Sequence, residues 1–214
     1  MDTKFWGPSG WELLHLITFE KGSLQKKRQL FKVLNKVLPC KYCRESTTQF
    51  MKELPLKNNL ALWLYDLHKM VNQKLTDQNL HVEPNPGFSQ VVKKYKEKLH
   101  SPGIPGKEFL LSMALNFDPK THDIKAHEQF WDALKDLYPK HKFEAPRINQ
   151  YYFQDVWKIL HDMGYEKSYE ETLAYISKFK SKCSKKTFKG KTCRSNQSRK
   201  SNMILTSKRN RYIA

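Results

Sequence analysis

Leu30-Phe31-Lys32-Val33-Leu34-Asn35-Lys36-Val37-Leu38-Pro39-Cys40-Lys41-Tyr42-Cys43 joins an apolar run at helical spacing to a proline and a Cys-x-x-Cys pair. Leu30, Phe31, Leu34 and Val37 share one face, which predicts a helix over about 25–38. Proline is favoured at a helix start, where its missing N–H costs nothing. Pro39 therefore predicts a further helix that ends near Leu54 and holds Cys40 in its first turn. Unpaired amides and the positive dipole end favour thiolate over thiol there, and Lys41 and Arg44 add positive charge. Cys43 lies one turn on, within disulfide reach. Such a pair serves as a redox disulfide or as half of a zinc site, and its company in the chain decides between them.

Outward from this stretch the apolar spacing stays helical, and no segment alternates long enough for a strand, so the chain is predicted to be all-α. A helix is expected over about 10–19, with Trp11, Leu14 and His15 close on one face. Another covers about 58–75, with Leu60, Trp63, Leu64, Leu67, Val71 and Leu75 as its stripe and His68 and Asn72 projecting together from the edge. Pro84-Asn85-Pro86-Gly87 makes a turn into a fifth helix that carries Phe88, Val91, Val92, Tyr95 and Leu99. Ser101-Pro102-Gly103-Ile104-Pro105-Gly106 stops any helix and is the expected linker. Apolar runs at 109–115, 130–138, 151–163 and 169–179 follow it. The expected division is a first domain over 1–100, a linker over 101–106, a second helical domain over 107–179 and a basic tail over 180–214.

The chain has 214 residues and a formal net charge of +18. That excess suggests nucleic acid until it is located: twelve Lys or Arg and no acid lie from Lys180 onward, leaving +6 over residues 1–179. A segment so poor in apolar groups cannot offset its ordering entropy, and the tail is expected to be disordered. It is expected to attract acidic surfaces or nucleic acid only nonspecifically. No apolar run approaches the roughly 20 residues of a membrane span, and no basic stretch precedes an apolar one at the N-terminus, so neither a membrane span nor a signal peptide is expected.

The two halves resemble each other. Gly7, Gly10, Glu12, Leu13 and Leu14 align with Gly103, Gly106, Glu108, Phe109 and Leu110 at an offset of 96. Leu30, Phe31, Leu34, Val37 and Pro39 align with Phe130, Trp131, Leu134, Leu137 and Pro139 at 100, and Trp63, Leu64, Asp66 and Leu67 with Tyr152, Phe153, Asp155 and Val156 at 89. These are mostly core positions, which any two helical bundles could match. The mismatches carry chemistry: Trp11, His15, Cys40, Cys43, His68 and Asn72 face Lys107, Leu111, Lys140, Phe143, Trp157 and His161. A true repeat would have kept its packing and lost its chemistry in the second copy.

Trp6-Gly7-Pro8-Ser9-Gly10-Trp11-Glu12-Leu13-Leu14-His15, then Pro39-Cys40-Lys41-Tyr42-Cys43, then Trp63-Leu64-Tyr65-Asp66-Leu67-His68-Lys69-Met70-Val71-Asn72-Gln73-Lys74-Leu75, resemble in order and spacing the motifs of the Erv/ALR family of FAD-linked sulfhydryl oxidases. The resemblance covers residues 5 to about 99. It implies a four-helix core that holds FAD, a fifth helix, and a disulfide beside the flavin. Carried over by position, Gly7, Trp11, His15, His68, Asn72 and Lys74 would contact FAD, with Lys94 and Tyr95 where the family usually has an Arg-Trp pair near the adenine. Cys43 would be the flavin-proximal sulfur and Cys40 the one that exchanges with incoming thiols. Lys69 and Thr76-Asp77 depart from the usual pattern. The lack of further structural cysteines resembles the large-DNA-virus members, which implies host cytoplasm or virion as the location. In some of those members a degenerate second copy takes the place of a dimer partner, so a homodimer and an intrachain pseudo-dimer both stand open.

The implied activity is thiol oxidation by O2, with disulfides formed in client proteins and H2O2 released, FAD as the cofactor and no metal. Cys183 and Cys193 are candidates for a shuttle disulfide that collects electrons from clients, or for idle thiols. The alternative reading is a zinc-stabilised nucleic-acid-binding protein in which Cys40, Cys43, Cys183 and Cys193 complete a four-sulfur site. Trp63 is expected to be core.

Overall fold

The computed structural model describes residues 2–139 and 141–180, together with 191–192 and 195–198. Ten helices make up the described body: α1 Thr3–Phe19, α2 Leu24–Lys32, α3 Leu34–Val37, α4 Lys41–Glu53, α5 Leu60–Asp77, α6 Phe88–Lys98, α7 Lys107–Leu115, α8 Ile124–Leu137, α9 Tyr152–Asp162 and α10 Tyr169–Lys180. The all-α expectation holds for this body. Lys191–Thr192 (β1) and Ser195–Ser198 (β2) form a minimal antiparallel pair in the basic tail. The remaining tail positions, with Cys183 and Cys193, lie outside the described residues, and so does the test of the expected tail disorder and shuttle.

Local chemistry moves several helix ends away from the sequence expectation. α1 begins seven residues before the expected Gly10, because Asp2 caps it by accepting the Lys4 amide at 3.0 Å. Pro8 lies inside this helix and removes one backbone donor, a cost that packing offsets. Phe5 stacks on Phe179 at 3.9 Å and Trp6 leans on Phe109 at 5.8 Å, so tertiary contacts hold the first turns. The helix expected over 25–38 is two helices. At Val33 the backbone turns to φ −103°, ψ 0°, and its N–H reaches back only three residues, to Leu30. That break lets Phe31 and Leu34 both enter the core. Pro39 stands outside α4, and Cys40 is its cap rather than a residue of its first turn.

One continuous hydrophobic core, from Trp6 to Ile176, runs through both halves. The most extensive helix pairings among the described residues are α2 with α8 and α1 with α7, each joining an element to its counterpart in the other half. Phe130, Trp131, Ala133, Leu134 and Leu137 of α8 are all essentially inaccessible. Each large apolar side chain so buried contributes on the order of 1.5–3 kcal/mol. The expected linker is fastened down: Tyr138 donates its hydroxyl to the Pro105 carbonyl at 2.6 Å, and Gly106, at φ +81°, lies against Leu13. Val91 and Tyr95 of α6 pack on Leu16, on the opposite side of α1.

Candidate active site

Cys40 is the N-cap of α4, and its sulfur accepts the Cys43 amide at 3.4 Å. No disulfide joins the two cysteines here; both are thiols. Amide hydrogens at a helix start favour negative charge on the capping sulfur. The Cys43 thiol is pushed well up from its ordinary range by its hydrogen bond to Cys40, by burial and by the charge of Cys40, while Lys74 pulls it down. The Cys43 thiol is thus held protonated beside Cys40, whose sulfur takes the amide of the helix start. The turn is braced on both sides: Arg44 Nη1 donates to the Leu38 carbonyl at 2.8 Å, and Asn35 donates to Thr48 Oγ1 at 2.8 Å. Cys40 is only 4 % exposed, whereas Cys43 is half-buried.

A cluster of flat rings lies between α1, α5 and α6. Trp11 of α1 stacks on His68 of α5, centroids 3.8 Å apart and planes 13° from parallel. His15 of α1 stacks on Tyr95 of α6 at 4.6 Å, also at 13°, and His15 lies 5.7 Å from His68. Both imidazoles are held neutral. Burial first, then His68 and Lys94, lower the His15 pKa to about 3, and burial followed by Lys94 lowers that of His68 to about 4. The Nδ1 of His15 is buried with no hydrogen-bond partner. Lys94 Nζ lies 5.3 Å from the Tyr95 ring centroid.

The structure thus brings Trp11, His15, His68, Lys94 and Tyr95 together, from three helices. Asn72 points to the turn, donating to Asn85 Oδ1 at 2.6 Å. Lys74 reaches α4, donating to Ser46 Oγ at 2.9 Å, and so ties α5 to the helix that Cys40 caps. Gly7 stands apart in α1, with nothing within 4 Å of where a Cβ would be. Trp63 is fully buried and donates to the Leu54 carbonyl at 3.0 Å, a core role as expected.

Residues 8–96, which span the dithiol and the ring cluster, match the family model of the Erv1 / Alr family. This part of the chain is similar to the Erv1/Alr family. That family is one of FAD-linked sulfhydryl oxidases. No curated protein and no solved structure gives a significant match.

Among the described residues of the second half, the positions matched to His15 and His68 form no such stack of rings. Leu111 stands at the counterpart of His15 and is buried in the core. Trp157, the counterpart of His68, meets Tyr169 edge-on at 5.7 Å and donates to the Lys167 carbonyl at 3.0 Å. No group of three or more His, Cys, Asp or Glu that could hold a metal occurs among the described residues. Ser46 escaped the sequence reading. Its signal was its place three residues beyond Cys43, on the same face of the helix.

Proposed function

We propose that the chain is an FAD-dependent thiol oxidase that forms disulfides in client proteins, with Cys40 and Cys43 as its exchanging pair. The observation that carries this reading is the Cys40–Cys43 turn, joined through Lys74 to the helix that supports the ring cluster. Trp11, His15, His68 and Tyr95 offer neutral flat faces suited to a planar ring system, and the buried Nδ1 of His15 lacks a partner that a polar ring edge would supply. These residues would hold FAD, with Asn72, Lys74, Lys94 and Gly7 around them. When bound, FAD supplies two-electron acceptance from the dithiol and delivery to O2, yielding H2O2.

The chain's own part is thiol exchange. A client thiolate attacks Cys40 Sγ of the oxidised pair, the S–S bond breaks, and Cys43 leaves as a thiolate. A second client thiolate then attacks the client-linked sulfur, which releases Cys40 and completes the client disulfide. Cys40 is the capped, charge-stabilised sulfur and a good leaving group in that step. Its burial requires the segment around Leu38–Lys41 to yield before a client reaches it.

The second half is read as a degenerate copy that takes the place of a partner subunit, since α7 and α8 pack on their own counterparts α1 and α2. The test of the function is the visible spectrum of the purified chain, followed by oxygen uptake with dithiothreitol for wild type and Cys43→Ser. Flavin absorption with uptake lost in the variant is the expected result. A colourless protein containing zinc would overturn the reading.

A further inference from the structure

Ser46 is buried in α4, and its single hydroxyl hydrogen goes to the backbone carbonyls one turn back, Tyr42 at 2.9 Å and Cys43 at 3.3 Å. Its lone pairs are therefore what it presents to α5, where Lys74 Nζ donates to it at 2.9 Å. A lysine ammonium on a half-buried helix face ordinarily extends to water along its flexible stem. Here it turns inward, toward the helix that carries Cys43, and its charge is felt at that sulfur.

We propose that Ser46 is a positioning residue for thiol exchange: by accepting from Lys74 it holds that ammonium beside Cys43, where it stabilises the thiolate released when the disulfide is attacked at Cys40. In that step a client thiolate bonds to Cys40 Sγ, the Cys40–Cys43 bond breaks, and its electron pair goes to Cys43. Positive charge at the leaving sulfur speeds the step, because a better-stabilised thiolate leaves faster. Arg44 is fastened to the Leu38 carbonyl instead, so the two cations have different anchors. The inference rests on the reading of Cys40 and Cys43 as an exchanging pair.

The test follows iodoacetamide alkylation of the peptide that carries Cys43 against pH by mass spectrometry, in the full chain carrying Cys40→Ser so that one sulfur of the pair titrates. Ser46→Ala and Lys74→Gln are each expected to raise the midpoint by about one pH unit, the scale of a lost neighbouring opposite charge. The double variant is expected to add nothing further, and Ser46→Thr, which keeps the hydroxyl, to restore the wild-type midpoint. A residue that merely fastened α4 to α5 would lower the melting temperature and leave the midpoint alone, and that result overturns the proposal. So does a shift in Lys74→Gln with none in Ser46→Ala, or no shift in Lys74→Gln should Ser46→Ala fail to fold. Alkylation needs neither flavin nor oxygen, so this outcome is independent of whether the chain consumes oxygen with thiols.

Discussion

Gln129 donates its side-chain amide to the Gln29 carbonyl at 3.2 Å, and the two residues are 100 positions apart. That is the offset that aligns Leu30 with Phe130, so two positions matched between the halves meet each other, as happens on a two-fold axis. A second pair agrees. Gly10 lies under Phe109, while Gly106, its counterpart at offset 96, lies under Leu13, the counterpart of Phe109. Contacts that exchange partners in this way define a self-complementary interface, here built within a single chain.

The first prediction concerns assembly. The faces of α1 and α2 that pack on α7 and α8 are covered within the chain. Sedimentation is expected to give a species near the chain mass of 25.4 kDa. A concentration-independent dimer would show that another face associates.

Gly106 is the second. It holds φ +81°, and a Cβ there would fall 2.5 Å from Leu13 Cδ2 and 2.8 Å from Leu13 Cβ. Gly106→Ala is expected to destabilise by roughly 2–4 kcal/mol, from left-handed strain and overpacking together. Gly7→Ala, with open space beyond its chain neighbours, is expected to be near neutral, because the gain in helix propensity is offset by the contact of a Cβ with the Pro8 ring. Urea denaturation of both variants checks the contrast.

The third follows from the buried imidazoles. His15 and His127 have pKa values lowered from 6.5 to about 3, and His68 to about 4, each mainly by burial. Depressed folded values mean that the unfolded chain binds protons the folded chain refuses. Stability is therefore full above pH 6.5 and falls as pH drops from there toward 4, by about 1.4 kcal/mol per unit per histidine. Urea midpoints between pH 7 and 4.5 are expected to show this slope, reduced by about one proton's worth in His68→Gln. A flat profile would contradict it.

Fourth, the Trp11–His68 stack is expected to matter more for cofactor than for fold. His68→Ala removes a stacked pair at a half-buried site, worth on the order of 1 kcal/mol. The ratio of flavin to protein absorbance in the purified variant is expected to collapse while its melting temperature shifts by only a few degrees. Retained flavin would remove His68 from the site.

How much of this was legible beforehand depends on the range of the interaction concerned. The dithiol turn, the histidine motif and the all-α class are local patterns, since helical periodicity and a Cys-x-x-Cys pair are set within a few residues. What the sequence could not place was where helices yield to distant neighbours. Pro8 reads as a breaker, yet Phe179, more than 170 positions away, helps hold it in a helix. Val33 reads as helix interior, yet the chain breaks there so that Phe31 and Leu34 reach one core. Lys74 was visible in its motif, but its bond to Ser46 was not, because a side-chain hydrogen bond between α4 and α5 has no one-dimensional spacing. The two halves show the division of labour most clearly: the sequence by itself determined an alignment of core positions that any two helical bundles could match, and only the tertiary structure decided that α1 and α2 face α7 and α8, because self-complementary packing depends on the shapes of two surfaces at once.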